Sequence, residues 1–372
     1  MKKKVAIIIP GGIGGGYFMQ GVPALEDYII RISELFDVTV YSMIKTDPSY
    51  LPANFKLYST NALFSSSTIK KVILTTILFI KNNKTKKYQL VHGLWGFPSG
   101  FLVVVLCKIL NIPSLVSLQG AEAANVPEIN YGHLHSYGKR KIVFWTCKHS
   151  SILTCLTNFQ LKELKKNGFF RKDIHVIPYG IDGGLFTLKT KELASPFHFI
   201  HIANLNEVKD QITLLKTFKL IIKHEENCLL RIIGDGECLD KLKDLAKTLV
   251  IEDKVEFMGA IPHATIAEHL HWAHILLHTS LYEGQAVVVA EAAACGVVVC
   301  GTNVGLIADW GEEKCLTVDC GDYKALANKI LELLKDTAKY YKLRDRAYGW
   351  TLEHTPNNTV ASFQKIYNQL IR

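Results

Sequence analysis

The stretch ILLHTSLYEGQAVVVAEAAACGVVVCGTNVG, residues 275–305, decides the fold. It opens on a short apolar run, Ile275–His278, passes through a loop at Glu283-Gly284, and enters a run that reads as a helix from Val287 to Ala294. Gly296 stands where a helix closes on a left-handed residue, and a second apolar run, Val297–Cys300, follows at once. Two short, continuously apolar strands joined by a helix form a βαβ unit. Strands of that kind lie in parallel sheets covered on both faces.

The same alternation runs through most of the chain. Ahead of this unit, strands are expected at Lys4–Ile9, Val38–Ser42, Gln89–His92, Ser114–Leu118, Ile152–Thr154, His175–Ile177, Phe197–Ile202, Leu229–Ile233 and Val255–Met258, with Leu316–Val318 after it. Helical periodicity separates them, for example at Tyr28–Phe36, Phe101–Leu110 and Gln211–Lys223. These are too many strands for one open sheet, so the expected architecture is α/β with two tandem Rossmann-like domains. The pattern lapses at LFTLKTKELASP, residues 185–196, which sets the expected domains at 1–187 and 188–352. A last helix within 353–372 carries Val360, Phe363, Ile366, Tyr367 and Leu370 at helical spacing.

Composition narrows the class. Of 372 residues, 48% are hydrophobic and 21% charged, which is the usage of a packed globular chain and excludes collagen, coiled coil and disorder. The nine cysteines are scattered without a C-x-x-C, so they read as thiols of a reducing cytosol rather than a disulfide or zinc framework. Val5–Ile9 is too short for the apolar region of a secretion signal, and no run has the ~18–20 apolar residues of a membrane span. A cytoplasmic location is expected. Charge is uneven: residues 1–190 hold 23 Lys+Arg against 10 Asp+Glu, and the remainder 20 against 24.

Three segments carry chemistry. Pro10-Gly11-Gly12-Ile13-Gly14-Gly15-Gly16 follows the first strand, where glycine lets backbone N–H groups approach a ligand. It lacks the dinucleotide spacing, and the second strand, DVTVYSM, has no terminal acid, which disfavours NAD. In the 275–305 stretch, the amides near Ala286–Val288 sit at the positive end of a helix, ready for an anion. Glu291 lies in an apolar run and needs a polar partner, a part that ribose hydroxyls would fill. In Asn204-Leu205-Asn206-Glu207-Val208-Lys209-Asp210, Lys209 stands between the carboxyl end of a strand and a helix, where open sheets bind ligands.

Taken in order, these segments resemble the family 4 (group 1) retaining glycosyltransferases of GT-B fold. The resemblance runs along nearly the whole chain and is closest in VIPYGID (176–182), IANLNEVKD (202–210), RIIGDGE (231–237), VEFMGAIP (255–262) and SLYEGQAVVVAEAAACGVVVCGTNVG (280–305), with its Glu–seven residues–Glu motif. The amino half adds the glycine loop, VHGLWG (91–96) and SLQGAE (117–122). The resemblance implies two domains facing a central cleft, the final helix packing back on the first. It implies transfer of a sugar from a UDP- or GDP-linked donor to a saccharide or lipid-linked acceptor, with retained configuration and without metal or other cofactor. Carried over, Lys209 holds the diphosphate, Glu283 and the amides of Ala286 and Val287 contact donor sugar and phosphate, and Glu291 holds the ribose. Asn204 lines the diphosphate site, Gly259 and its neighbours in Met258–Ile261 line the base, and Gly15 and Gly16 approach from the other domain.

The chain departs from the family pattern at three positions: Asn204 replaces an arginine, Gln119 a histidine and Tyr179 an asparagine. Arg231 is a candidate to replace the lost positive charge. His92, ending a strand, is a candidate for substrate contact, whereas His269, His271, His274 and His278 read as scattered rather than metal-binding. Ile69–Lys81, apolar with basic flanks, reads either as a core-facing helix or as a helix resting on an anionic leaflet at the inner face; the charge of that half favours the leaflet. Nucleic acid is disfavoured, since no aromatic-basic module accompanies the charge. A nucleotide-sugar epimerase and a non-catalytic nucleotide-sugar-binding protein stand as alternatives.

Overall fold

The computed structural model describes residues 2–14 and 21–371; Gly15 and Gly16 lie outside the described residues. The chain divides into two compact units, Met1–Gly180 with Pro356–Arg372, and Ile181–Thr355. Ile181 and Phe186 pack into the core of the second unit, so the change comes at Gly180 and not after the loop that follows.

The first unit holds a seven-stranded sheet of β1 (Lys4–Ile9), β2 (Asp37–Ser42), β3 (Lys56–Ser59), β4 (Leu90–Leu94), β5 (Ser114–Ser117), β6 (Ile152–Cys155) and β7 (Ile174–Val176), in the order β3-β2-β1-β4-β5-β6-β7. Every pairing is parallel. β3 was not legible in the sequence: it is a four-residue edge strand with no buried residue, so nothing forces it to be continuously apolar. The final helix, Pro356–Leu370, packs in this same unit against the helix Pro23–Leu35. Phe363 lies 4.8 Å from the Tyr28 ring and Tyr367 lies 5.1 Å from Phe36.

The second unit holds β8 (Phe197–Ile202), β9 (Cys228–Ile233), β10 (Val255–Gly259), β11 (Ile275–His278), β12 (Val298–Thr302) and β13 (Leu316–Val318), all parallel, in the order β10-β9-β8-β11-β12-β13. Both faces are apolar because neighbouring residues point to opposite sides. Phe199, Ile275, Leu277 and Val298 join one core cluster, and Ile200, Leu276 and Val299 join the other. Gly296 ends the helix Val287–Ala294 at φ +81, where a Cβ would lie 2.7 Å from Leu188 Cδ1.

The strand order reverses between β8 and β11, which pair directly through Ile275 beside Phe199 and Leu276 beside Ile200. The chain leaves these two strands toward opposite flanks of the sheet, and their carboxyl-end loops frame a crevice. Lys209 is on one of these loops and Glu283 on the other.

All nine cysteines are free thiols: seven are buried, Cys238 is half-buried, and Cys320 is exposed. No helix of the described residues is long and apolar enough to cross a membrane.

Candidate functional site

The loop after β8 is held close to the sheet by two glycines. Gly234 and Gly236 have positive φ, and a Cβ on them would sit 1.9 Å from Ala203 O and 2.3 Å from Leu205 O. Only glycine allows that approach, which explains the spacing in RIIGDGE. The loop then makes a single tight turn, Glu207–Lys209, and Asp210 at φ +45 caps the helix Gln211–His224 by accepting the Thr213 N–H at 3.2 Å. Lys209 is thereby fixed at the mouth of the crevice.

The loop after β11 is stitched to this turn. Thr279 Oγ1 donates to Asp210 O at 2.9 Å and to Lys209 O at 3.2 Å, and the Leu281 N–H donates to Val208 O at 2.8 Å. From the other side, Thr302 Oγ1 donates to Ser280 O at 2.5 Å, and the Leu306 N–H to Gln285 O at 2.9 Å. Gly305, at φ +54, leaves room for the loop: a Cβ there would be 2.7 Å from Glu283 Cβ.

Three donors converge on one oxygen of Glu283. Lys209 Nζ lies 2.5 Å from Oε1, Ser280 Oγ donates at 2.7 Å, and His278 Nε2 is at 3.0 Å. Oε2 has no hydrogen bond among the described residues. Burial pushes the Glu283 carboxyl up, but the Lys209 ammonium and the bond from His278 outweigh it and hold the group well below the usual carboxylate range. Glu283 is therefore ionised, desolvated and half-satisfied: one oxygen is spent inside the protein, the other left to accept.

Three residues on, Ala286 starts the helix Val287–Ala294 in the left-handed region, at φ 65, with no side-chain cap on the first amides. A non-glycine residue in that conformation costs of order 1–3 kcal/mol and is characteristic of functional loops. Glu291, in the same helix and 8% exposed, has the partner its burial demands: His263 Nε2 lies 2.7 Å from Oε1. The protein supplies that partner to one oxygen, where ribose alone was expected.

Gly259 ends β10 at φ +69 with open space where a Cβ would be, and its carbonyl accepts the Gly234 N–H at 2.9 Å. Asn204 is exposed at the end of β8, and its carbonyl accepts Gln211 Nε2 at 3.0 Å. Arg231 does not stand in for the missing arginine. Its Nε is paired with Glu256 Oε2 at 2.8 Å and its guanidinium covers the Trp272 ring at 3.9 Å.

In the first unit, the structure does not support His92 as a substrate contact. Its ring is fully buried, with Nδ1 2.8 Å from Tyr367 Oη and Nε2 2.7 Å from Ser117 Oγ. Burial pushes its pKa down to about 3, so the ring is neutral and both nitrogens are engaged. The covering residue comes from the last helix, far away in sequence. Two of the three family departures meet here: Tyr179 Oη donates to Gln119 Oε1 at 3.0 Å. Beside them, buried Glu122 accepts the N–H groups of Gly96 at 3.0 Å, Gln119 at 2.7 Å and Gly120 at 2.9 Å, fixing the SLQGAE turn.

Residues 189–350 match the family model described as glycosyl transferases group 1. This span lies within the second unit and contains the whole constellation from Asn204 to Glu291. The second unit thus carries a group 1 glycosyl transferase domain. Among curated proteins, N-acetyl-alpha-D-glucosaminyl L-malate synthase of Bacillus anthracis is 29% identical over 237 residues, 60% of this chain and 61% of that protein. The chain thus spans under two-thirds of that relative's length. Two solved structures cover both partners almost entirely. Anabaena Alr3699/HepE in complex with UDP superposes with a TM-score of 0.79 at 16% identity, over 98% of this chain and 100% of that one. Sucrose-phosphate synthase from Thermosynechococcus elongatus superposes at 0.82 with 17% identity, over 99% of each chain. At such identities the likeness establishes the two-sheet fold alone.

Within this domain, sequence reasoning missed His278, Ser280, His263 and Gly305. Ser280 carried a signal, standing three residues before Glu283. His278 looks like a member of a histidine cluster, but His271 binds Thr187 O, His274 accepts the His198 N–H, and His278 turns to Glu283. His263 gave no signal, because its partner is distant in sequence.

Proposed function

We propose that the protein is a retaining glycosyltransferase that moves a sugar from a nucleoside diphosphate donor to a saccharide or lipid-linked acceptor in polysaccharide or glycolipid synthesis. The observation that carries this reading is the Lys209 ammonium on Glu283 Oε1, at the switch point of the second sheet and three residues before an uncapped helix start. Lys209 and the first amides of the helix Val287–Ala294 receive the diphosphate. As the bond between the anomeric carbon and phosphate oxygen breaks, its electron pair moves to that oxygen, and these donors stabilise the charge in place of a metal ion. Glu283 Oε2 accepts a hydroxyl of the donor sugar, and the open oxygen of Glu291 accepts from the ribose. The acceptor hydroxyl attacks from the face the phosphate leaves, and its proton passes to the departing phosphate oxygen. Anabaena Alr3699/HepE, which shares the fold, is known in complex with UDP and glucose and with UDP-glucose, which supports a uridine donor.

The test is release of nucleoside diphosphate from UDP- and GDP-sugars, with product configuration read by NMR. Lys209→Ala is expected to lower turnover by at least ~10²-fold, the scale of losing one preorganised charge at the leaving group. Glu283→Gln is expected to act chiefly on the donor sugar, raising KM. Unchanged turnover in Lys209→Ala, or an unchanged donor KM in Glu283→Gln, refutes the assigned roles. Nucleotide binding by calorimetry without release of product would favour a binding protein instead.

A further inference from the structure

The helix Thr68–Lys86 in the first unit turns a row of isoleucines outward. Ile69, Ile73, Ile77 and Ile80 are 73%, 52%, 61% and 40% exposed, while Thr75 and Phe79 on the opposite side are buried. Their spacing places all four on one face. The loop entering the helix adds Leu63 at 60% and Phe64 at 48% exposure, with Lys71 Nζ over the Phe64 ring at 5.1 Å. Single exposed apolar side chains are ordinary; a continuous row of them marks a contact surface.

The surrounding charge says what the contact is. Between Asp47 and Glu122 the sequence contains no Asp or Glu, and it contains eight lysines. Lys70, Lys81 and Lys84 are exposed on the same side of the helix as the isoleucines. A second copy docking face to face would oppose two lysine-rich surfaces, each with Asp47 beside Leu63 and Phe64 at its edge. Nucleic acid would be met by aromatic and hydrogen-bonding side chains, whereas these are branched aliphatics. An apolar face edged by lysines suits the boundary between acyl chains and anionic headgroups, and the helix, 19 residues long, does not qualify as a span.

We propose that this face docks the first unit on an anionic lipid surface, with Ile69, Ile73, Ile77, Ile80 and Phe64 seated among the acyl chains and Lys70, Lys81 and Lys84 on the headgroups. The core-facing reading of the segment holds for its inner side, where Thr75 and Phe79 are buried; the proposal concerns the outer face only. None of these residues belongs to the donor site, so the inference stands apart from the proposed activity.

The experiment is flotation of the full chain with vesicles of phosphatidylcholine, with and without phosphatidylglycerol. The chain is expected to float with the anionic vesicles and not with phosphatidylcholine alone. Ile73→Ser with Ile77→Ser is expected to weaken that binding by ~tenfold or more. Each of Lys70→Gln and Lys81→Gln is expected to weaken it by roughly fivefold. Because these side chains are exposed, circular dichroism and the thermal midpoint should match the parent chain, which excludes misfolding as the cause. Absence of flotation, or flotation of the double isoleucine variant equal to the parent, overturns the proposal. So does sedimentation showing a parent dimer that the isoleucine variant abolishes without vesicle binding, which would assign the face to a second copy. Nucleoside diphosphate release by these variants without vesicles should equal that of the parent, so failure of the donor reading and failure of this one are distinguishable.

Discussion

Glu283 shows what a single side chain must satisfy. A carboxylate withdrawn from water is tolerated because an ammonium, a hydroxyl and an imidazole all address it. Removing the ammonium alone leaves a buried charge short of its main partner, so Lys209→Met is expected to lower stability by about 3–5 kcal/mol in urea unfolding, in addition to its effect on turnover. His92 makes the opposite case, a basic group held neutral. Its pKa falls to about 3, and that of the buried His201 also to about 3, both through burial. Below about pH 6.5 the unfolded chain takes up protons that the folded chain refuses, so stability is full above that pH and falls as the solution is acidified. By pH 5 the loss is roughly 2 kcal/mol per ring. The urea midpoint is expected to drop between pH 7 and 5, with a shallower drop in His92→Gln. Equal slopes would mean that this ring is not held neutral.

At the scale of elements, the site depends on loops that only particular backbones permit. Gly305 lets its segment pass against the Glu283 loop, and its φ of +54 disfavours any other residue. Gly305→Ala is expected to destabilise by about 1–3 kcal/mol through backbone strain and the Cβ contact. It should also raise the donor KM more than it lowers kcat, since it moves Glu283 without removing it. Steady-state kinetics beside thermal melts would separate the two effects. A melt and a KM both equal to the parent's would show that the loop has room to spare.

At the scale of the molecule, the chain returns to its first unit through the helix Pro356–Leu370. Tyr28, Tyr367, His92, Ser117 and Thr154 form one buried chain of hydrogen bonds, from Tyr28 Oη to Tyr367 Oη at 3.0 Å through to Thr154 Oγ1 on Ser117 Oγ at 2.6 Å. Phe363→Ala, which empties the space against Tyr28, is expected to cost about 3–5 kcal/mol, the range for a buried aromatic. Calorimetry should show the transition of the first unit lowered, with that of residues 181–355 unmoved. A shift of both transitions together would mean that the units unfold as one.

The apolar runs alone placed twelve of the strands named here, most of them because a parallel strand covered on both sides has no choice but to be continuously apolar. Edge strand β7, with no buried residue, was legible as well. Edge strand β3 escaped since solvent relaxes that demand. Lys209, Glu283 and Glu291 were legible for a related reason: a glycine, a charge and a helix start at fixed short spacing are local features, and local features are written in order along the chain. What answers them is not local. His263 reaches Glu291, and Tyr367 closes over His92 from 275 positions away; only the packing of helices on the sheets brings these pairs into contact. The same packing decided that four isoleucines of one amphipathic helix face outward, which hydropathy by itself left open. Sequence determined the fold and the charged groups of the site, since both follow from short-range pattern. Tertiary structure determined which of those groups are satisfied, buried or left open, because solvent exclusion and hydrogen-bond partnership are properties of the assembled unit.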